Sequence, residues 1–432
     1  MPERSHVGVV LLGLGTVGSG VARSILEKAD SYTQRVGVPV VLKKVLVRDA
    51  GKPRQVTLDR SLITTNPEEA LGTECDIVVE VMGGEQPAFD FMRQSLEAGR
   101  YVVTASKEVM AKRGPELLSL AAAQGTDILY EASVGGGIPI ISPLKRDLSA
   151  NDITSIRAII NGTTNYILTR MSREKMDFAE ALKEAQDLGY AEPDPTNDIE
   201  GHDAAYKLAI LASLAFHTRI SPDSVYREGI TKLTARDLSY ADQLGYAIKL
   251  LAIARRVNGD AVQVRVHPAL VPVEELLAKM DGVNNAVQVD GDLTGRVLFQ
   301  GAGAGSLPTT SAVMADVLDA AREARPPRRR SERAASLLFL SYVLSCGIRT
   351  HNRRIRNACV GHAIRKHRFD FPISLVTGSR GNSCSLRSSC ASHALRMKFF
   401  FTAFVDKFVI RRLKERPHRR RNVHPLLKRD AY

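Results

Sequence analysis

The chain contains little cysteine: five residues in 432, of which only Cys75 precedes residue 325. A large body with one cysteine argues against a disulfide framework and is typical of a reducing compartment, so we expect a cytoplasmic protein. Long apolar runs are missing as well. The run at 7–12 is too short for a secretory signal, and none approaches the roughly 20 apolar residues of a membrane span. We therefore expect no membrane partner.

Sequence patterns for transition-metal sites are also missing. His202, His217 and His267 do not form the H-E-x-x-H spacing of a zinc protease. The four cysteines after residue 325 form no C-x-x-C pair. The acidic segment 192–203 does not follow the spacing of an EF-hand calcium loop. These absences argue against a zinc or EF-hand site.

The net charge of +13 would by itself suggest a polyanionic partner, but it is unevenly distributed. Residues 1–324 carry 34 Lys and Arg against 42 Asp and Glu, a net charge of −8, whereas residues 325–432 carry 26 against 5, a net charge of +21. The apolar residues of this C-terminal segment lack helical or strand periodicity. We predict that residues 325–432 form a basic tail outside the folded body, either disordered or of out-of-frame or fused origin.

The alternative is a nucleic-acid-binding protein that uses the basic tail. Such a protein would interleave aromatic residues with arginine, so that bases could stack on them. The cluster 399–401 consists of three phenylalanines without an adjoining basic rhythm. We therefore do not expect nucleic acid as a partner.

Residues 1–132 alternate between apolar runs and helical patterns, which predicts an α/β fold with a doubly wound parallel sheet of the Rossmann type. Helices are expected at 16–29, 87–98 and 115–124. The predicted strands are 7–12, 40–47, 76–81, 101–104 and 127–130.

Residues 133–300 change to an α+β pattern, which predicts a second domain with a mixed or antiparallel sheet for substrate binding and dimerisation. Its helices are expected at 178–188 and 203–216, and its strands at 153–160, 247–256, 262–266, 283–289 and 295–299. Residues 301–324 form a glycine-rich loop and a helix, which we expect to return to the dinucleotide-binding domain.

The segment GLGTVG at 13–18 matches the G-x-G-x-x-G pattern directly after a predicted strand and before a helix. Gly13 permits the tight turn, Gly15 lets the backbone approach a pyrophosphate, and Gly18 permits close packing of helix on strand. Thr16 and Val17 begin the helix, whose N-terminus favours phosphate. The alternative is a tight turn without a ligand, but the strand–helix context favours a dinucleotide.

Cations follow the second predicted strand, where dinucleotide-binding proteins recognise the adenine ribose. An acidic residue there favours NAD, whereas arginine accommodates the 2′-phosphate of NADP. Arg48 comes first, and Lys52 and Arg54 follow. The pattern favours NADP or dual use; the alternative is a solvated basic turn.

The acidic segment GYAEPDPTNDIEGHDAAYK at 189–207 turns into a helical pattern after residue 202. Asp203 and Lys207 are then separated by one helical turn and share a face. A carboxylate beside a lysine fixes its rotamer and its protonation state, which suits a residue that transfers a proton. The alternative is a solvated acidic loop, which would not require Lys207 on the next turn.

Two further segments carry candidate residues. Lys107 follows a strand at the sheet edge where ligands bind, and is either an anion-binding residue or a surface lysine. Glu131 precedes three consecutive glycines at 135–137. Its carboxylate, together with inward-facing backbone carbonyls, would suit a hard cation; the alternative is a hinge between domains.

Six motifs follow one another along the chain: GLGTVG, VVTASK at 102–107, EASVGGGIPI at 131–140, NGTTNYIL at 161–168, the acidic segment at 189–207 and GAGAGSLPTTSAV at 301–313. In these motifs and their order, the chain resembles homoserine dehydrogenase over about residues 6–322. The acidic segment is highly specific for this family, whereas the glycine-rich turn is not.

The resemblance implies an NAD(P)-dependent oxidoreductase that interconverts L-homoserine and L-aspartate 4-semialdehyde in threonine, methionine and isoleucine biosynthesis, and that forms a homodimer. Lys207 would be the acid/base, Asp203 would bind substrate and orient it, and Lys107 would be a second active-site lysine. The other implied positions are Glu192 and Asp198 for substrate, Ser106, Gly189 and Gly303 for cofactor, and Glu131, Val134, Gly136 and Ile138 for a structural sodium ion held mostly by backbone oxygen.

The chain departs from the family in two places. Ser106 stands where the family has an asparagine, which replaces an amide with a shorter hydroxyl. Many bacterial members continue into a regulatory ACT domain, and nothing after residue 325 resembles one. An aspartate-semialdehyde-type dehydrogenase is the rival enzyme class, but it needs a nucleophilic cysteine beside a histidine, and Cys75 has no evident histidine partner.

Overall fold

A computed structural model describes residues 5–257 and 261–324 of the chain. The predictions for the basic tail and for the ACT domain concern residues outside this part. Within the described ranges, no helix is both long and apolar enough to cross a membrane.

The first sheet has six parallel strands in the order β3-β2-β1-β4-β5-β6, which confirms the predicted Rossmann-type sheet. β1 is buried along its whole length because helices cover both faces of the sheet. The strands are β1 (Val7–Leu12), β2 (Val40–Leu46), β3 (Ile63–Thr64), β4 (Ile77–Glu80), β5 (Tyr101–Thr104) and β6 (Ile128–Leu129).

Alternate residues of β1 contribute to two different cores. Val9 and Leu11 pack with the first two helices and the last one, whereas Val10 and Leu12 pack with Ala70 of the third. The helices of this part are α1 (Thr16–Glu27), α2 (Ala29–Val36), α3 (Pro67–Gly72), α4 (Ala88–Glu97), α5 (Lys107–Gln124) and, at the end of the described chain, α12 (Ser306–Glu323).

The second sheet has the order β12-β11-β7-β9-β10-β8. Its neighbours are antiparallel except for β8 and β10, which are parallel, so the prediction of a mixed sheet is confirmed. Its strands are β7 (Ile153–Ile159), β8 (Tyr226–Arg227), β9 (Tyr246–Arg256), β10 (Val262–Pro272), β11 (Asn284–Gly291) and β12 (Gly295–Ala302).

Helices pack on one face of this sheet around a core that includes Val287 and Leu208. They bring the end of β7 against the acidic segment, and so build the site described below. They are α6 (Ile141–Lys145), α7 (Gly162–Arg173), α8 (Phe178–Asp187), α9 (Thr196–Ile199), α10 (His202–Ala215) and α11 (Ala235–Gln243).

Several predicted boundaries are wrong for identifiable reasons. The helix expected to begin at 115 begins at Lys107, because the Ser106 hydroxyl caps it and Pro115 is accommodated inside it. The helix expected over 16–29 is divided at Lys28 into α1 and α2. β10 continues to Pro272, because it pairs with β9 over its whole length.

Candidate active site

The glycine-rich turn between β1 and α1 has the close approaches that its sequence predicts. Gly13 has φ +102°, and a Cβ added there would lie 2.9 Å from the carbonyl oxygen of Val81. A Cβ on Gly18 would lie 2.1 Å from the Gly13 oxygen, whereas one on Gly15 would meet nothing within 4 Å. The turn is therefore closed at its base and open at Gly15, where a pyrophosphate could approach the first N–H groups of α1.

The cations after β2 lie on the loop that follows the strand. Arg54 is folded onto this loop, where its guanidinium donates to the carbonyls of Asp49 and of Lys52, the latter at 2.7 Å. Arg48 and Lys52 are exposed, and within the described residues their side chains have no hydrogen bond or ion pair. Two of the three predicted cations are thus available to a ligand, while Arg54 shapes the loop.

A cluster of three charged residues links the part of the chain built on the first sheet to the part built on the second sheet. The Lys107 ammonium at the start of α5 bonds to Oδ1 of Asp203 on α10. The Lys207 ammonium, one turn further along α10, lies 2.7 Å from Oδ2 of the same carboxylate. Asp203 is 4% exposed, Lys207 12% and Lys107 42%. The structure therefore brings together the three residues for which catalytic roles are predicted.

The cluster keeps Asp203 ionised despite its burial. Burial alone would raise the pKa of this carboxyl, but the ammonium groups of Lys207 and Lys107 outweigh it and hold the pKa well below its ordinary value. Burial likewise opposes the charge of Lys107, yet Asp203 raises the pKa of that lysine above its ordinary value. Asp203 is therefore an anion that accepts hydrogen bonds from two lysines.

The hydrogen bonds of Lys207 use two of the three N–H groups of its ammonium. Its ammonium carries three N–H groups; one is directed to Asp203 and another to the backbone oxygen of Ile160, at 2.9 Å. The third has no partner among the described residues. A positioned lysine with one free N–H can donate a proton to, or bind, the oxygen of a ligand.

Asn161 was not singled out by the sequence reading, although it lies in the NGTTNYIL motif. Its amide nitrogen donates to Asp198 at 2.7 Å and to Asp203 at 2.9 Å. Burial raises the pKa of Asp198 above its ordinary value, against the hydrogen bond from Asn161. In the sequence, an asparagine before a helix predicts an N-cap, but it does not predict hydrogen bonds to a distant segment.

Gly189 and Glu192, the other acidic-segment residues with predicted roles, make no hydrogen bond to the cluster. Gly189 follows α8 with φ +74°, and Glu192 is exposed, with a carboxylate that bonds to no described residue. The carbonyl of Tyr190 accepts from the Thr163 hydroxyl at 2.7 Å, which ties this turn to the start of α7. Glu192 therefore lies on a segment anchored near Asp198 but does not contact Asp203.

The carboxylate of Glu131 binds the backbone at the start of α6. Its two oxygens accept from the backbone N–H groups of Ile140, Ile141 and Ser142 at 2.6–2.8 Å. These three hydrogen bonds leave backbone carbonyls as the other candidate oxygen ligands for the predicted cation. Among the described residues, no cluster of three or more His, Cys, Asp or Glu could hold a metal.

The glycine-rich loops at 134–138 and 301–305 pack against each other. A Cβ on Gly136 would lie 2.4 Å from the Gly303 oxygen, and one on Gly303 would lie 1.8 Å from the amide nitrogen of Asn285. Both positions therefore require glycine. The backbone carbonyls of Val134, Gly136 and Ile138 accept no hydrogen bond from the described residues.

The turn that carries Lys107 is fixed by a buried carboxylate that the sequence reading missed. Glu80, at the end of β4, accepts from the Thr104 hydroxyl at 2.6 Å, and Thr104 accepts from the backbone N–H of Ser106 at 2.9 Å. The Ser106 hydroxyl also donates to the Gly84 carbonyl at 3.2 Å. The serine at the family's asparagine position thus caps α5 and joins two loops at the carboxyl edge of the sheet.

The rival chemistry through a nucleophilic cysteine is not supported. Burial raises the pKa of the Cys75 thiol to about 11, so the thiol stays protonated at neutral pH. Cys75 also precedes β4, at the opposite end of that strand from Glu80.

Two family models match this chain. The model described as homoserine dehydrogenase matches residues 139–318, and the one described as homoserine dehydrogenase, NAD binding domain, matches residues 13–131. Among curated proteins, the chain is 49% identical to the homoserine dehydrogenase of Synechocystis over 72% of this chain and 73% of that protein. It is 45% identical to that of Neisseria gonorrhoeae over 73% and 72%.

Solved structures agree with the family models. A homoserine dehydrogenase from Thiobacillus denitrificans superposes with a TM-score of 0.69 and 46% identity, covering 73% of each chain. A hyperthermophilic archaeal homoserine dehydrogenase in complex with NADPH superposes with a TM-score of 0.62 and 29% identity, covering 73% of this chain and 97% of that one.

Proposed function

The chain belongs to the homoserine dehydrogenase family, and from this premise we propose that it interconverts L-homoserine and L-aspartate 4-semialdehyde with Lys207, Asp203 and Lys107 as the catalytic centre. The observation that carries the proposal is the Asp203 carboxylate held between two lysines. The reaction would serve threonine, methionine and isoleucine biosynthesis.

We assign the proton transfer to Lys207. In the reductive direction, a nicotinamide cofactor held at the glycine-rich turn would supply the hydride for the aldehyde carbon. Lys207 gives its free N–H proton to the aldehyde oxygen, which becomes the hydroxyl of homoserine. Asp203 fixes the lysine rotamer, and the carbonyl of Ile160 restrains it from a second direction. In the oxidative direction, Lys207 receives the same proton.

Lys107 serves the same oxygen from the nucleotide-binding side. Its one bond to Asp203 leaves two N–H groups, and it is the most exposed member of the cluster. A second ammonium stabilises negative charge that develops on the substrate oxygen. We place the substrate ammonium group beside Asp203 and Asp198, with Glu192 approaching from its segment.

We propose that Arg48 and Lys52 bind the 2′-phosphate, so that the chain uses NADP as well as or in preference to NAD. Both are exposed and unpaired at the end of β2, whereas Arg54 is committed to the loop backbone. The archaeal relative is named as a complex with NADPH. The backbone at Gly13, Gly15, Thr16, Val17 and Gly18 would bind the pyrophosphate, and Ser106, Gly189 and Gly303 would contribute further cofactor contacts.

The cofactor assignment predicts a selective loss. Arg48→Ala combined with Lys52→Ala should raise the KM for NADP by about 10-fold or more and change that for NAD little, because only NADP carries the 2′-phosphate. Steady-state kinetics with both cofactors measure this. The matched control is Lys28→Ala with Arg35→Ala, two exposed cations elsewhere in the same domain. Equal losses for NAD and NADP would refute the assignment.

We propose a sodium-like ion at the 134–138 loop, held by the backbone oxygens of Glu131, Val134, Gly136 and Ile138. Support comes from the unpartnered carbonyls at the last three positions and from the occupied Glu131 carboxylate, which leaves backbone oxygen as the ligand type. The ion would stabilise the packing of this loop on Gly303. Its role is structural, and no chemical step passes through it.

We also propose a cytoplasmic homodimer formed through the second domain. Most of the large apolar side chains that are exposed in the described chain belong to this domain, including Leu244, Leu270 and Leu276. This concentration of exposed apolar side chains in one domain favours an interaction surface there. We further propose that residues 1–132 and 301–324 bind the nucleotide. Residues 133–300 would bind the substrate and form the dimer.

A further inference from the structure

Asn161 connects two carboxylates of the site through one neutral group. It lies after β7 and is 5% exposed. Its two amide protons are both used, one on Asp198 and one on Asp203. We propose that Asn161 is a positioning residue that holds the carboxylates of Asp198 and Asp203 in place to receive the substrate's ammonium group. This inference rests on the function proposed above.

The orientation of the Asn161 amide is determined by its oxygen. Oδ1 accepts from the backbone N–H and from the hydroxyl of Thr164, both at 2.9 Å, so it caps α7. The amide nitrogen must then face the carboxylates. The preceding residue, Ile160, accepts from Lys207. The end of β7 therefore fixes both the proton-transferring lysine and the acid pair.

A neutral donor suits this position better than a cation would. Asp203 already has two lysine partners, whereas Asp198 has no ion pair among the described residues. A third cation between the acids would give the cluster of two acids and two lysines a net positive charge, which would repel an ammonium group. An amide supplies hydrogen bonds to both acids and adds no charge.

The Asn161 amide is one of the groups that keep Asp198 ionised. The groups that act on Asp198 are Asn161 and Thr163 before and within α7, Asp203 and Lys207 on α10, and Lys107 on α5. Burial and the neighbouring Asp203 raise the pKa of Asp198, while Asn161, Thr163 and Lys207 lower it. Removal of the amide should therefore favour the neutral acid, which cannot pair with an ammonium group.

The test is Asn161→Ser in the full chain. Serine keeps a capping oxygen for α7 but cannot reach both carboxylates. We expect kcat/KM for homoserine at neutral pH to fall by about 10- to 100-fold, as for a lost hydrogen bond to a charged group. The KM for homoserine should rise much more than the KM for NAD(P). The acid limb of the pH profile of kcat/KM should move to higher pH by about one unit.

The matched control is Asn165→Ser, the same change one turn later on α7. Asn165 is also buried, and it donates to the carbonyls of Met280, Gly282 and Asn284 at 2.9–3.0 Å. The Asn165→Ser variant should have a lower Tm and an unchanged acid limb in the pH profile of kcat/KM. If Asn161→Ser is insoluble, Asn161→Asp keeps the capping oxygen and replaces the donor with an acceptor, and it should move the limb further.

A second variant distinguishes positioning from general damage. In an Asp198→Asn background, Asn161→Ser should no longer move the acid limb, because the group that it controls is gone. An acid limb that does not move in Asn161→Ser, or that moves equally in Asn165→Ser, would overturn the inference. Homoserine turnover by the unmodified chain would still support the proposed function in that case. Absence of that turnover would overturn both.

Discussion

Lys207→Met should lower kcat for homoserine oxidation by roughly 10²- to 10⁴-fold, the usual contribution of a positioned acid/base. Methionine fills similar space without a proton to transfer. Because Lys207 also contacts the Ile160 carbonyl, the variant should be checked by Tm before its kinetics are interpreted. Steady-state assays with saturating homoserine and cofactor measure the effect.

Two controls sharpen this prediction. Lys207→Arg keeps a positive charge beside Asp203, but a guanidinium does not lose its proton near neutral pH, so kcat should remain low. Lys183→Met removes a lysine of α8 that is exposed and should leave kcat unchanged. Full kcat in Lys207→Met, or kcat restored in Lys207→Arg, would contradict the assignment of proton transfer to Lys207.

Asp203→Asn should have the second largest effect. The substitution leaves two ammonium groups facing a neutral amide, and loss of one partner from a buried ion pair costs about 3–5 kcal/mol. If that cost falls on the catalytic arrangement, kcat/KM should drop by roughly 10²- to 10³-fold. Asp194→Asn is the matched control, because Asp194 is an exposed acid of the same segment. Equal kinetics in the two variants would contradict the role of Asp203.

The same variant predicts a pH dependence of stability. The pKa of Asp203 is depressed in the folded chain, so its contribution is present above the ordinary carboxyl pKa and is lost as pH falls towards the depressed value. The difference in the free energy of unfolding between the unmodified chain and Asp203→Asn should therefore shrink at acid pH. Urea titrations at neutral and acid pH measure it. A difference that is constant with pH would mean that folding does not lower the pKa of Asp203.

Local patterns predicted the parts of the site that lie within one element. The β1–turn–α1 unit follows from an apolar run, three glycines and a helix pattern, and the spacing of Asp203 and Lys207 follows from helical geometry. The structure has both features. The start of α5 at Lys107 differs from the prediction because proline is common at helix starts, which favours a start at Pro115, whereas the Ser106 cap sets the start and Pro115 lies inside the helix.

Contacts between distant segments could not be read from the sequence. Lys107 and Asp203 are 96 residues apart, and the two acids bridged by Asn161 are 37 and 42 residues from it. The sequence next to these residues does not specify such pairings, because they depend on how the two sheets and their helices pack together. For the same reason, the sequence around Glu131 could not show that its carboxylate accepts from the backbone N–H groups at the start of α6.

The most direct test of the central claim is homoserine-dependent reduction of NAD(P) by the purified full-length chain, compared with folded Lys207→Met. The account predicts reduction that requires homoserine, yields aspartate 4-semialdehyde and nearly disappears in the variant. A folded unmodified chain that reduces no cofactor with homoserine, or a variant that matches its rate, would contradict the account.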